Sequence, residues 1–223
     1  MVSDVSRAFA EGLQKPERRQ YERFGANASR VFGLLDLHTQ LSRYDSPVSM
    51  DERSDILRSA VVLLHACLED YLRTAAIAYF PLGEADAWDE IKLVGEKKGQ
   101  LSLANLAKFR NESVESVLRK SIEEYWNLQS FGTIEKIKGL LNRLKIDSDF
   151  SELHPCMREL IERRHSIVHD ADRSPIECDA TGMVNRISVD QVTEWTKAVL
   201  EFIQRVHGEL HFSWIKRREQ QLS

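Results

Sequence analysis

A chain of 223 residues with 42% hydrophobic and 30% charged residues, but only 10 Gly and 5 Pro, is long enough for one sizeable core and reads as globular and helix-rich. Its 31 Lys and Arg against 35 Asp and Glu leave a net charge of −4, which excludes a broadly basic nucleic-acid coat but not a local cationic site. Cys67, Cys156 and Cys178 are odd in number and at no metal-ligand spacing, the first residues lack a signal-peptide apolar core, and the longest apolar run, 60–68, is broken by His65 and far short of the ~20 residues of a membrane span. A reduced, cytoplasmic protein without a membrane partner is expected.

Helical periodicity runs through nearly the whole chain, with no internal repeat, and predicts one all-α domain over 1–223. Residues 1–50 read as a short first helix and a second that Pro16 opens and that ends near Tyr44. Ser49 and Glu52 form a capping box before a core helix over 51–80, the most apolar element of the chain. Pro81-Leu82-Gly83 ends it. The more charged stretch 81–130, with Gly95 and Gly99, reads as a helical insertion of two or three short helices. Residues 131–215 carry the remainder: a helix from Thr133 to Lys145, one from Pro155 to His169, an irregular stretch with a brief strand at Met183–Ile187, and a last helix ending near Ile215. Ser188 and Gln191 supply a second capping box, with Ile187 and Val192 as its hydrophobic staple.

The helix over 155–169 is the informative one. On a helical wheel Met157, Leu160, Ile161, Ile167 and Val168 form one apolar stripe, and Arg164 falls in the middle of it. A lone guanidinium on a buried face costs several kcal/mol. Arg164 must therefore meet a carboxylate, or line a cavity or interface that an anion visits. Arg163 lies off the stripe and is expected to be an ordinary solvated charge. His165 and His169 are close to each other but about 140° around the axis from Arg164 in the case of His169. Either the helix distorts or ends before His169, or Arg164 meets the histidine of a second chain across a two-fold axis.

The run Arg164-His165-Ser166-Ile167-Val168-His169 resembles the R-x4-6-H motif of HEPN domains, and Glu162 to Asp170 resembles the RiboL-PSP-HEPN group in particular. Leu63 to Arg73 is similar to that family's first core helix, and the segments at Phe131–Ile134 and Leu144–Asp147 resemble the ends of the helix before its motif. The likeness covers about Ile56–Phe80 and Phe131–Val206. It implies an all-α HEPN-like bundle that dimerises through the motif helix. It implies, further, a metal-independent endoribonuclease that cuts single-stranded RNA by 2′-OH attack, leaving a 2′,3′-cyclic phosphate. No cofactor is implied. Arg164 would stabilise the phosphorane, His169 would act as acid or base, and His165 would orient either group or the RNA. RNA, a second copy of the chain, and an antitoxin or other regulatory protein are the implied partners, in a toxin–antitoxin or antiviral setting. Asp170 departs from the Asn that relatives often carry.

Plainer readings stand beside these. Arg164 and His169 could be a structural ion pair and a histidine favoured by the helix dipole. His165 and His169 have the i, i+4 spacing of two metal ligands, but no third ligand follows them. Glu69, in the core helix, could pair with Arg164, orient a histidine, or lie at a solvated edge. Asp170 could neighbour the chemistry or cap the helix. Tyr71, Trp126, Trp195 and Trp214 read as core or interface anchors before base-stacking platforms. Lys97-Lys98 and Lys216-Arg217-Arg218 read as solvated ends. A catalytically silent HEPN module that binds a nucleotide, RNA or protein is the alternative function, and a purely structural helical adaptor is a third.

Overall fold

The computed structural model describes residues 2–43, 48–82, 88–95, 103–146, 148–173 and 184–221, the side chains of 2–18, 82, 105 and 214–221 excepted. Helix α1 (Val2–Arg43) is a single helix where the sequence suggests two. Proline inside a helix removes a backbone donor and costs ~3 kcal/mol. The helix nevertheless runs through Pro16. Beyond it Phe24, Ala28, Val31 and Leu35, about one per turn, are buried as α1 lies along α2 (Met50–Tyr79).

The start of α2 follows the sequence closely. Ser49 Oγ accepts the Glu52 N–H at 3.2 Å, and Glu52 returns a bond to the Ser49 N–H at 2.8 Å. Leu57, Val61, Leu64, Leu68, Leu72 and Ala76 make its inner face, with every one of them at most 1% exposed. Four later elements use α2 as their floor or wall: α4 (Val114–Asn127), α6 (His154–His169), α7 (Val189–Gln221) and, at its far end, the short turn Phe80–Leu82. One stripe of α2 is left uncovered by the described residues. Ser59 and Ala66 are exposed there, and Val62 and Leu63 are only partly covered.

The insertion contains α3 (Leu103–Ala107) and α4 among its described residues, in line with the short helices expected; Gly99 and Lys97-Lys98 lie outside them. Trp126 anchors α4 under the end of α2, edge-on to Phe80 at 4.8 Å, and Arg143 stacks over Phe80 from α5 (Ile134–Arg143). The exit of α5 is a Schellman turn. Ile146 N–H donates to Leu141 O and Lys145 N–H to Asn142 O, both at 3.0 Å, with Lys145 left-handed at φ 58°.

After α6 the expected strand at Met183–Ile187 is reduced, among the described residues, to one isolated bridge between Arg173 and Val184; Met183 lies outside them. Ser188 and Gln191 form the predicted capping box at 3.2 and 3.1 Å, and the buried Val192 and partly buried Ile187 join the core beside it. Helix α7 continues to Gln221, past the expected end; the side chains of Trp214 and Lys216 to Arg218 lie outside the described residues. Among the described residues no helix is long and apolar enough to cross a membrane. Tyr71, Trp126 and Trp195 are all buried, as core anchors.

Candidate functional site

Helix α6 starts from a 3-10 turn at Ser151–Leu153 and is held on its inner side by Met157, Leu160 and Ile161, all buried. Trp195 Nε1 of α7 donates to Glu159 at 3.2 Å and fixes its rotation. The apolar stripe then opens. Ile167 is only partly covered and Val168 is 47% exposed, although both belong to the stripe on the wheel. Beside them a groove of about 590 Å³ runs between α6 and the uncovered stripe of α2, lined by Ser59, Val62, Leu63, Ala66, Ile167 and Ala171.

Arg164 occupies this opening. It is half-buried, and no hydrogen bond or ion pair of its guanidinium occurs among the described residues. The structural ion pair that would make Arg164 an ordinary buried cation is therefore missing. His165 and His169 are exposed, and their rings lie 4.5 Å apart, tilted by 42°. The helix stays regular through His169, with Asp170 as its C-cap donating its N–H to Ser166 O at 2.9 Å. Early termination thus does not bring His169 round to Arg164, and within one chain the two remain about 140° apart on the cylinder. Asp170 is exposed at the cap. Among the described residues no three His, Cys, Asp or Glu gather in a way that could hold a metal ion.

Behind Arg164 lies a pair that the sequence reading resolves only in part. Glu69 does not pair with Arg164. Its Oε1 accepts the Phe131 N–H at 2.8 Å, tying α2 to the entry of α5, and its Oε2 faces His65 Nδ1 at 3.8 Å. His65 is 2% exposed. Burial pushes its pKa below the ordinary histidine value, Glu69 opposes that shift, and the charge of Arg164 adds to it. Sequence reading noted His65 only as a break in an apolar run. The thiol of Cys67, two residues further along α2, is pushed up to about 11 by burial and is no nucleophile at neutral pH.

Arg163, expected in solvent, is instead part of a buried ion cluster. Its Nη2 donates to Asp172 Oδ2 at 2.9 Å and to the carbonyls of Asn185 and Arg186. Arg58 of α2 meets the same carboxylate oxygen at 2.7 Å. Asp172 is fully buried. The chain reaches this position through two consecutive left-handed residues, Ala171 at φ 51° and Asp172 at φ 57°, a conformation that costs a non-glycine residue roughly 1–2 kcal/mol. Two guanidinium groups on one carboxylate offset that strain, and they lock the end of α6 to α2.

A model of the RiboL-PSP-HEPN family matches residues 33–211. The chain belongs to the RiboL-PSP-HEPN family. The match runs from the last turns of α1 into α7, a range that contains Arg164 and His169, and the helical architecture is that of HEPN domains, which are all-α. No curated protein and no solved structure matches the chain.

The buried imidazole of this HEPN domain has a consequence for stability. In the unfolded chain it titrates near the ordinary ~6.5, above its folded value. The unfolded state therefore binds more protons as pH falls through that range, so folding stability is retained above it and lost below. His154 and His38, both lowered first by burial and then by a neighbouring cation, act in the same direction. The melting temperature is expected to drop between pH 7 and pH 5, and the drop should be smaller in His65→Leu; an equal drop in both would remove His65 as its source.

Proposed function

We propose that this HEPN protein is a metal-independent endoribonuclease acting on single-stranded RNA, with a composite site at the two-fold axis of a homodimer. The observation that carries the reading is the half-buried guanidinium of Arg164, without a hydrogen bond or ion pair among the described residues, at an open apolar seam of the motif helix. A cation in that setting is poised for an anion that comes and goes, and a phosphodiester suits the planar fork of arginine.

The reaction needs a base, an acid and a cation. The ribose 2′-oxygen gives its proton to one His169 and bonds to the adjacent phosphorus. The bond from phosphorus to the 5′-oxygen breaks, and that oxygen takes a proton from the other His169. Arg164 holds the non-bridging oxygens as their charge grows. The products are a 2′,3′-cyclic phosphate and a 5′-hydroxyl. The exposed His165, against His169, orients the imidazole or the RNA backbone. Since Arg164 and His169 face different ways on one regular helix, a second copy is what supplies both to one phosphate. The face offered to that copy is the groove, with Val62, Leu63, Ala66 and Ile167 as its apolar part and Asp55 and Arg58 at its charged edge, together with the exposed Val168.

Purified protein incubated with single-stranded RNA and EDTA is expected to yield fragments ending in cyclic phosphate. Cleavage that requires a divalent ion, or none at all, overturns the reading. A second reading, a silent HEPN module that binds RNA, a nucleotide or a partner protein, is favoured by the separation of Arg164 and His169 within one chain; RNA retained but uncut in EDTA would select it. The toxin or antiviral role rests on the same site: growth arrest on expression should vanish in Arg164→Ala.

A further inference from the structure

The pairing of His165 with His169 has a chemical consequence beyond proton transfer. Residues four apart on a helix leave it with Cβ atoms ~5–6 Å apart. The two imidazole centroids are 4.5 Å apart and their planes are tilted by 42°, so the side chains converge rather than splay. Both residues are exposed, and neither has a hydrogen bond or ion pair among the described residues that a ligand would have to displace. A neutral imidazole carries one ring lone pair. A zinc ion ~2.0–2.1 Å from a ring nitrogen stands roughly 3 Å from that ring's centroid, so two such bonds span centroid separations of up to roughly 6 Å. The observed 4.5 Å lies within that reach.

Spacing alone does not make such a pair. His207 and His211 also stand four apart, on α7, but the His207 ring is stacked on Tyr21 at 4.6 Å. On α6 the two rings meet each other instead. No third His, Cys, Asp or Glu joins them among the described residues, so water completes the coordination and the ion exchanges freely. Imidazole nitrogen suits zinc, nickel and copper, whereas magnesium and calcium seek oxygen. We propose that His165 and His169 together bind one Zn²⁺ per chain, and that the bound ion switches off the nuclease site. The switch rests on the ribonuclease reading above; the binding does not. Its cause is the lone pair. With those electrons on the metal, the His169 imidazole has none left to take the proton of the ribose 2′-OH, and removing the ion returns the base.

Calorimetric titration of the untagged, chelator-treated protein with Zn²⁺ at neutral pH tests the binding by itself. One ion per chain is expected, bound at least about tenfold more weakly in His165→Gln and in His169→Gln, with His211→Gln like the wild type and Mg²⁺ giving no heat. Equal binding in wild type and His165→Gln, or a loss in His211→Gln, overturns the site. In the cleavage assay Zn²⁺ should stop RNA cutting over the concentration range in which it binds, and excess EDTA should restore it. His165→Gln, measured against its own zinc-free rate, should need at least about tenfold more Zn²⁺ for half-inhibition. Undiminished cutting by the wild type at saturating Zn²⁺, or half-inhibition of His165→Gln at the wild-type concentration, overturns the switch. A wild-type protein that cuts nothing in EDTA removes the ribonuclease reading, and the calorimetry alone then decides the metal site.

Discussion

His169→Ala and Arg164→Ala are each expected to lower kcat/KM on single-stranded RNA by about 10²–10³-fold or more, the usual scale for losing a general acid–base group or a transition-state cation. The stability readout distinguishes this from a folding defect. His169 is exposed at the last turn of α6, so its loss should leave the melting temperature close to that of the wild type. Arg164 has no acid to orphan among the described residues, so its loss should not carry the ~3–5 kcal/mol penalty of breaking a buried ion pair. Mixing wild type with an excess of His169→Ala adds a sharper test. If both His169 residues of a dimer serve one phosphate, each mixed dimer lacks one of them, and activity per wild-type chain should fall as the variant exchanges in. Residual activity near wild type in His169→Ala would end the assignment of that residue. Activity per wild-type chain that excess variant leaves unchanged would end the shared site.

What could be read in advance was what depends on neighbours in sequence. The Ser49–Glu52 and Ser188–Gln191 caps are four-residue devices, and both appear where their spacing places them. The motif helix is equally local, because one apolar stripe with a cation in it is visible on a wheel. Pro16 shows the limit of such rules, since α1 runs unbroken through a residue that locally argues for a boundary. Arg163 was misplaced for a different reason. Its partner Asp172 can approach only because Ala171 and Asp172 take left-handed backbone, and no glycine marks that turn. The third member, Arg58, is 114 residues from Asp172 along the chain. His65 is legible only as a polar letter that breaks an apolar run; its burial, with Nδ1 3.8 Å from Glu69, is set by packing.

The ion cluster carries the largest expected effect on stability. Asp172 is fully buried, and the Arg58 and Arg163 side chains that meet it are only 12% and 18% exposed. Asp172→Ala leaves Arg163 with backbone carbonyls alone and Arg58 with the exposed Asp55 and the Asn185 carbonyl, and it keeps a left-handed residue without the contact that justified it. The expected loss is about 3–5 kcal/mol, the range for removing one partner of a buried pair. In a chain of this size that is a fall of roughly 10 °C in melting temperature. Asp172→Asn separates the causes. Asparagine tolerates the left-handed region about as well and keeps an acceptor, so what it loses is charge alone. Its destabilisation should fall between wild type and Asp172→Ala. Because the cluster locks the C-terminal end of α6 to α2, both variants should also lower RNA cleavage at temperatures where they remain folded. If Asp172→Ala melts like the wild type, the two arginines are held by the Asn185 and Arg186 carbonyls instead, and the carboxylate is not what fixes the end of the motif helix.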